Sequence, residues 1–163
     1  MAHAENEREF GGDEKEAAEL ESLYREGCLL LRMNKPAEAL ETFRRGMRLR
    51  DKDARFRSYV GYCTAAVEGK AKEGVSLCEK AVASEFYRPE LYLNLGRAYL
   101  LAGNRRKAHQ TFWKGYSLDK NNKELWEEIV KMGVRKPPIF KSLARGNILN
   151  RLTGKFLYTL RLR

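Results

Sequence analysis

The chain repeats itself with a step of 34 to 35 residues. Three stretches align: LYREGCLLLRMNKPAEALETFRRGMRL, RSYVGYCTAAVEGKAKEGVSLCEKAVA and YLNLGRAYLLAGNRRKAHQTFWKGYSL. Gly27, Gly61 and Gly96 share one phase. So do Ala39, Gly74 and Ala108, then Phe43, Cys78 and Phe112, then Gly46, Ala81 and Gly115. A fixed step of this size predicts stacked supersecondary units, each burying its apolar face against its neighbours. Glycine inside a helix costs about 1 kcal/mol against alanine. Periodic small residues therefore predict helices that approach closely, with Phe43 and Phe112 filling the space between them. Cys78 is a smaller plug, which marks the middle unit as the softest.

These residues resemble the tetratricopeptide repeat, whose pattern is W-x2-L-G-x2-Y followed by A-x3-F. The third copy carries it best, in Leu95-Gly96-Arg97-Ala98-Tyr99 and Ala108-His109-Gln110-Thr111-Phe112. The leading Trp of the pattern is Tyr92 there, Leu23 in the first copy and Arg57 in the second. The late Pro is missing near Asp51, Phe86 and Lys120. The resemblance covers about residues 20–122. It implies an all-α fold: a right-handed superhelical array of three antiparallel helix pairs with a capping helix and a basic C-terminal tail helix.

Local signals divide the chain further. Residues 1–13 are polar, acidic and end near Phe10-Gly11-Gly12, so they are expected to be a disordered arm. Asp13-Glu14-Lys15-Glu16 reads as a capping box that starts a helix at Glu14. Residues 14–121 hold the repeats, about 14–53, 54–88 and 89–121. Asn34 and Asn104 read as helix caps, Pro36 as a first-turn residue and Gly103 as a helix stop. Leu125, Trp126, Ile129, Val130 and Met132 recur at helical spacing and predict a capping helix over 122–133, ended by Gly133. Residues 134–163 open with Pro137-Pro138 and continue as an amphipathic segment. In it Leu149, Leu152, Phe156 and Leu160 form a stripe, with Arg151, Lys155 and Arg161 beside it.

Charge is distributed unevenly along the 163 residues. Residues 1–26 carry a net −6, residues 27–128 a net +7, and residues 129–163 nine bases and no acid. That asymmetry suits an anionic partner for the C-terminal end. Three cysteines, Cys28, Cys63 and Cys78, give an odd count without CxxC spacing. They read as small apolar fillers in a reducing, cytoplasmic setting. The first 20 residues hold no apolar run of the kind that marks an export signal. His3 and His109 are the only histidines, and no phosphate-cradling loop or GxSxG motif appears. No convergent set of nucleophile, base and stabiliser is present, so the expectation is a non-enzyme without cofactor or metal.

The resemblance implies that the first helix of each pair lines a concave groove. The matching residues are Tyr24 and Cys28 in the first copy, Arg55, Ser58 and Tyr62 in the second, and Leu93, Asn94 and Arg97 in the third. Some members of that family grip a peptide carboxylate with a Lys/Asn clamp. Tyr24, Cys28, Ser58 and Tyr62 stand where the clamp needs Lys or Asn, so no such clamp is expected. The leading expectation is an adaptor that holds a protein or peptide in this groove. The alternatives are a scaffold attached peripherally to an anionic membrane by Leu149, Arg151, Leu152, Lys155, Phe156, Leu160 and Arg161, a chaperone for a secreted partner, and nucleic-acid binding by the basic end. The last lacks a recognition motif. Self-association is a further option, because the acidic and basic ends are complementary.

Overall fold

Helix-forming stretches alternate with turns of three or four residues along the whole of the described chain. The computed structural model describes the backbone of residues 2–133 and the side chains of residues 14–133. The predicted tail stripe, from Leu149 to Arg161, lies outside the described residues. Seven helices follow one another: α1 (Ala2–Arg32), α2 (Pro36–Leu49), α3 (Ala54–Val67), α4 (Ala71–Ser84), α5 (Pro89–Leu101), α6 (Arg105–Leu118) and α7 (Lys123–Lys131). Each packs on its sequence neighbour, and α3 also packs on α5. Helices α1, α3, α5 and α7 thus form one row, and α2, α4 and α6 the other.

The start of α1 corrects an expectation. The backbone of residues 2–13 continues the helix without a break, where a disordered arm and a helix start at Glu14 were expected. The stretch holds two Ala and three Glu, and acids at a helix N-terminus interact favourably with its dipole. Asn34 is a second correction. It takes φ 58° and closes α1, its N–H bonding to the Leu31 carbonyl while Lys35 N–H reaches Leu30. Asparagine tolerates that left-handed geometry better than most residues. Lys35 then precedes α2 without a side-chain cap. Asn104 does cap α6, accepting from Lys107 N–H at 3.1 Å, and Gly103 stands before it at φ 74°.

The periodic small residues serve close packing. A Cβ on Gly27 would lie 2.5 Å from the Phe43 ring, and one on Gly96 would lie 2.2 Å from Phe112. Both rings are fully buried. The middle pair is built differently. A Cβ on Gly74 would meet the Gly61 carbonyl oxygen at 2.3 Å, and one on Gly61 would meet the Gly74 oxygen and Cys78 Sγ at 2.7 Å. The smaller Cys78 is thus accompanied by a closer approach of α3 to α4. Two main clusters form the core: one around Leu20, Leu23, Phe43, Phe56 and Val60, the other around Leu93, Ala98, Phe112, Leu125 and Ile129.

Candidate partner-binding groove

The row α1, α3, α5 and α7 leaves a cleft of about 340 Å³ lined by Tyr24, Cys28, Tyr59 and Leu93, with Arg25, Arg32, Glu90, Asn122 and Glu124 around them. Helical spacing explains the placement. Tyr24 and Cys28 stand four residues apart and share one face of α1. The Tyr24 ring meets Tyr59 edge-on, with centroids 5.7 Å apart. Tyr59 in turn stacks on the buried Phe43 at 4.5 Å. The aromatic floor of the cleft is therefore fixed from behind by the plug of the first pair. Burial pushes the Tyr24 phenol up to about 12 and the Tyr59 phenol well above its ordinary value.

Both predicted arginines are held by acids of this chain. Arg55 contacts Asp53 Oδ2 at 3.1 Å and Glu21 Oε2 at 3.2 Å, and its guanidinium lies 4.8 Å above the Tyr24 ring. The hydrogen bonds from Arg25 and Arg55 hold the Glu21 carboxyl below its usual range. Arg97 contacts Glu128 at 3.0 Å and Glu124 at 3.4 Å, both on α7. Its guanidinium covers Tyr62 at 5.8 Å. Neither arginine is free to act as a simple anion hook. Glu128 is only 9% exposed and ties α7 to α5. Asn122 both lines the cleft and caps α7, accepting from Leu125 N–H at 3.0 Å.

Of the eight predicted groove residues, Tyr24, Cys28 and Leu93 line the cleft, Leu93 as a nearly buried floor. Arg55, Tyr62 and Arg97 are half-buried beside it. Ser58 and Asn94 are corrections. Both are fully buried, and their side-chain polar atoms meet no hydrogen-bond partner among the described residues. One step along α3 is a turn of about 100°, and it exchanges Ser58 for Tyr59. Aligning the copies on their glycines placed Ser58 opposite Tyr24 and concealed Tyr59. Its large aromatic ring beside a small buried serine was the available signal. Glu124 and Asn122 were missed because α7 was read as a cap and not as a wall of the groove. Among the described residues no group of His, Cys, Asp and Glu could hold a metal ion, and no helix is long and apolar enough to cross a membrane.

A family model described as tetratricopeptide repeat matches residues 20–53 and 89–122. No curated protein matches the chain in sequence. Among solved structures, the chain resembles the first repeat domain of Spaghetti (RPAP3) bound to an HSP90 peptide, with a TM-score of 0.57 and 20% identity over 71% of this chain and 93% of that one. The Yersinia enterocolitica type III secretion translocator chaperone SycD gives 0.53 and 21%, over 69% and 85%. A Thermobaculum terrenum O-GlcNAc transferase mutant gives 0.62 and 14%, over 72% of this chain but 22% of that one. At these identities the likeness concerns the fold.

Proposed function

We propose that this chain, a tetratricopeptide-repeat protein, is a non-catalytic scaffold that binds a protein segment along α1, α3, α5 and α7. The observation that carries the reading is the preformed aromatic cleft. Tyr24 and Tyr59 are braced by Phe43, and three of the nearby arginines, Arg25, Arg55 and Arg97, are already paired with Glu21, Asp53, Glu124 and Glu128, which leaves Arg32 on the rim without an ion pair among the described residues. Such a site favours apolar or aromatic anchors over a carboxylate tail, since aromatic side chains in pockets supply most of the energy of a small interface. The RPAP3 domain binds the acidic peptide SRMEEVD. Here the clamp positions are Tyr24, Cys28, Ser58 and Tyr62, so that peptide is expected to bind more than tenfold more weakly than an aromatic-anchored one.

Cys28 supplies the test. It is half-buried in the cleft, while Cys63 and Cys78 are buried. A peptide array would find aromatic binders, and each binder should slow maleimide labelling of Cys28 in the native protein. Binders that leave the labelling rate unchanged, or an SRMEEVD peptide that protects Cys28 best, would count against this groove chemistry.

A second reading rests on sequence. Nine bases without an acid in residues 129–163, with the Leu/Phe stripe, favour attachment to an anionic membrane surface. Flotation of the full chain with anionic vesicles, lost at high salt and absent with neutral vesicles, is the expected result. Salt-independent binding, or none, contradicts it.

A further inference from the structure

The outer face of α6 carries an aromatic ledge that the groove does not use. Trp113 and Trp126 are each 41% exposed, and they are the only tryptophans of the chain. Trp113 meets Tyr116 at 5.9 Å, and Tyr116 meets Trp126 of α7 at 5.4 Å. Trp113 donates its Nε1–H to Nε2 of His109 at 3.0 Å. That bond holds the indole against the helix one turn back. Along α6 stand Arg105, Arg106, Lys107 and Lys114, and no acid. Exposed tryptophans with basic neighbours mark an interaction surface for something apolar and acidic.

The chain itself carries such a face. On α1 the residues Lys15, Glu19, Ser22, Glu26, Leu29 and Met33 follow one another by four, three, four, three and four, ending just past the helix, and all are exposed. That spacing keeps them on one side of the helix. Leu29 and Met33 are 55% and 56% exposed. Glu19 and Glu26 form no ion pair among the described residues, and residues 1–26 are net −6. Both strips run in one direction, from charge to apolar. On α1 the acids precede Leu29 and Met33. On α6 Arg106 precedes His109 and Trp113. Laid parallel with Met33 against Trp113, Glu26 falls beside Arg106, because both pairs are seven residues apart, and Arg105 and Lys107 flank the same end. Within one copy they lie apart, because α1 packs on α2 whereas α6 packs on α5 and α7.

We propose that the ledge of Trp113, Tyr116 and Trp126 receives the Glu19–Met33 face of α1 from a second copy, head to tail. The two faces differ, so the contact is heterologous and repeats from copy to copy without stopping at a pair. A single-helix contact with exposed charges is weak, with a dissociation constant on the order of 10–100 µM, and it loses its electrostatic part in 1 M salt, where the screening length is about 3 Å.

Sedimentation of the full chain across a concentration series tests this, with tryptophan emission read on the same samples. The expected result is a mean mass that rises past the dimer, falls in 1 M salt, and moves together with a blue shift of the emission. Since both tryptophans lie in the ledge, emission that stays constant while mass rises places the contact elsewhere and overturns the proposal. A chain that stays monomeric throughout overturns it too.

Charge exchange sharpens the test. Glu19→Lys with Glu26→Lys gives one variant, and Arg105→Glu with Arg106→Glu gives another. All four side chains are exposed, and circular dichroism verifies that both variants remain helical. Each variant alone should stay monomeric, and a one-to-one mixture should associate again. Association by either variant alone, or a silent mixture, refutes the pairing.

Discussion

The outer helix pairs and the middle pair solve one packing problem in two ways. In α1–α2 and α5–α6 a phenylalanine ring fills the gap over a glycine: Phe43 over Gly27 and Phe112 over Gly96. In α3–α4 the plug is Cys78, and the backbones themselves close in until Gly61 and Gly74 face each other's carbonyl oxygens. Sequence periodicity treats the three positions as equivalent. The difference teaches that the size of one side chain is offset by the distance between two helices, so a smaller plug need not leave a void. It also has a functional side. Only the Phe43 plug reaches the groove, through its stacking on Tyr59.

The largest effect separating the two solutions is expected from removing an aromatic plug. Phe43→Ala and Phe112→Ala should each cost about 3–5 kcal/mol, as other buried Phe truncations do, measured by urea unfolding. Cys78→Ala, which loses one sulfur and its bond to the Ser58 carbonyl at 3.2 Å, should cost about 1 kcal/mol. Equal costs at Cys78 and Phe112 would erase the distinction. Next in size are the glycines. Gly61→Ala and Gly27→Ala should each cost about 1–3 kcal/mol through overpacking, but only one is repairable. Phe43→Leu should recover most of the Gly27→Ala penalty, because a side chain gives way. Cys78→Ala should recover little at Gly61, because the Gly74 carbonyl is backbone. A double-mutant cycle reads this directly.

A smaller effect concerns the row that forms the groove. Glu128→Gln should loosen α7 from α5 by about 1 kcal/mol, because the amide oxygen still accepts from Arg97 and only the charge assistance of the 3.0 Å contact is lost. Hydrogen exchange should show faster opening in α7 and unchanged protection in α3–α4. A last effect, confined to alkaline pH, is a pH dependence of the first two pairs. Burial raises Cys63 to about 12 and Tyr24 to about 12, from ordinary values of 9.0 and 10.0. These groups stay protonated in the folded chain while the unfolded chain ionises. Their contribution is therefore complete below about pH 9 and is lost progressively as pH rises toward 12. Stability that declines between pH 6 and 8 would point to other groups.

The period of 34 to 35 residues was enough to place the helix pairs, because repeated small and large residues at fixed phase admit few other ways of burying one face. The turn residues were partly legible. Asn104 and Gly103 act as their types suggest, whereas Asn34 was misread because one residue type serves both as an N-cap and in the left-handed turn that ends a helix. The groove was legible at Tyr24 and Cys28 and illegible at Tyr59. A groove wall depends on the rotation of α3 about its axis, and that rotation is set by α3 meeting α2, α4 and α5 together. The repeat alignment carries no information on it.

Electrostatics shows the same division. The sequence alone determined that the chain is basic, with an acidic beginning and a C-terminal stretch free of acids, and that its glycines recur in phase. Tertiary structure alone decided that Arg55 and Arg97 are spoken for. Arg55 pairs locally with Asp53, but its second acid, Glu21, is thirty-four residues away, and both acids of Arg97, Glu124 and Glu128, stand on α7. Charge counts add along a chain, but a coulombic contact depends on distances of a few ångströms. Those distances exist only once the helices have stacked.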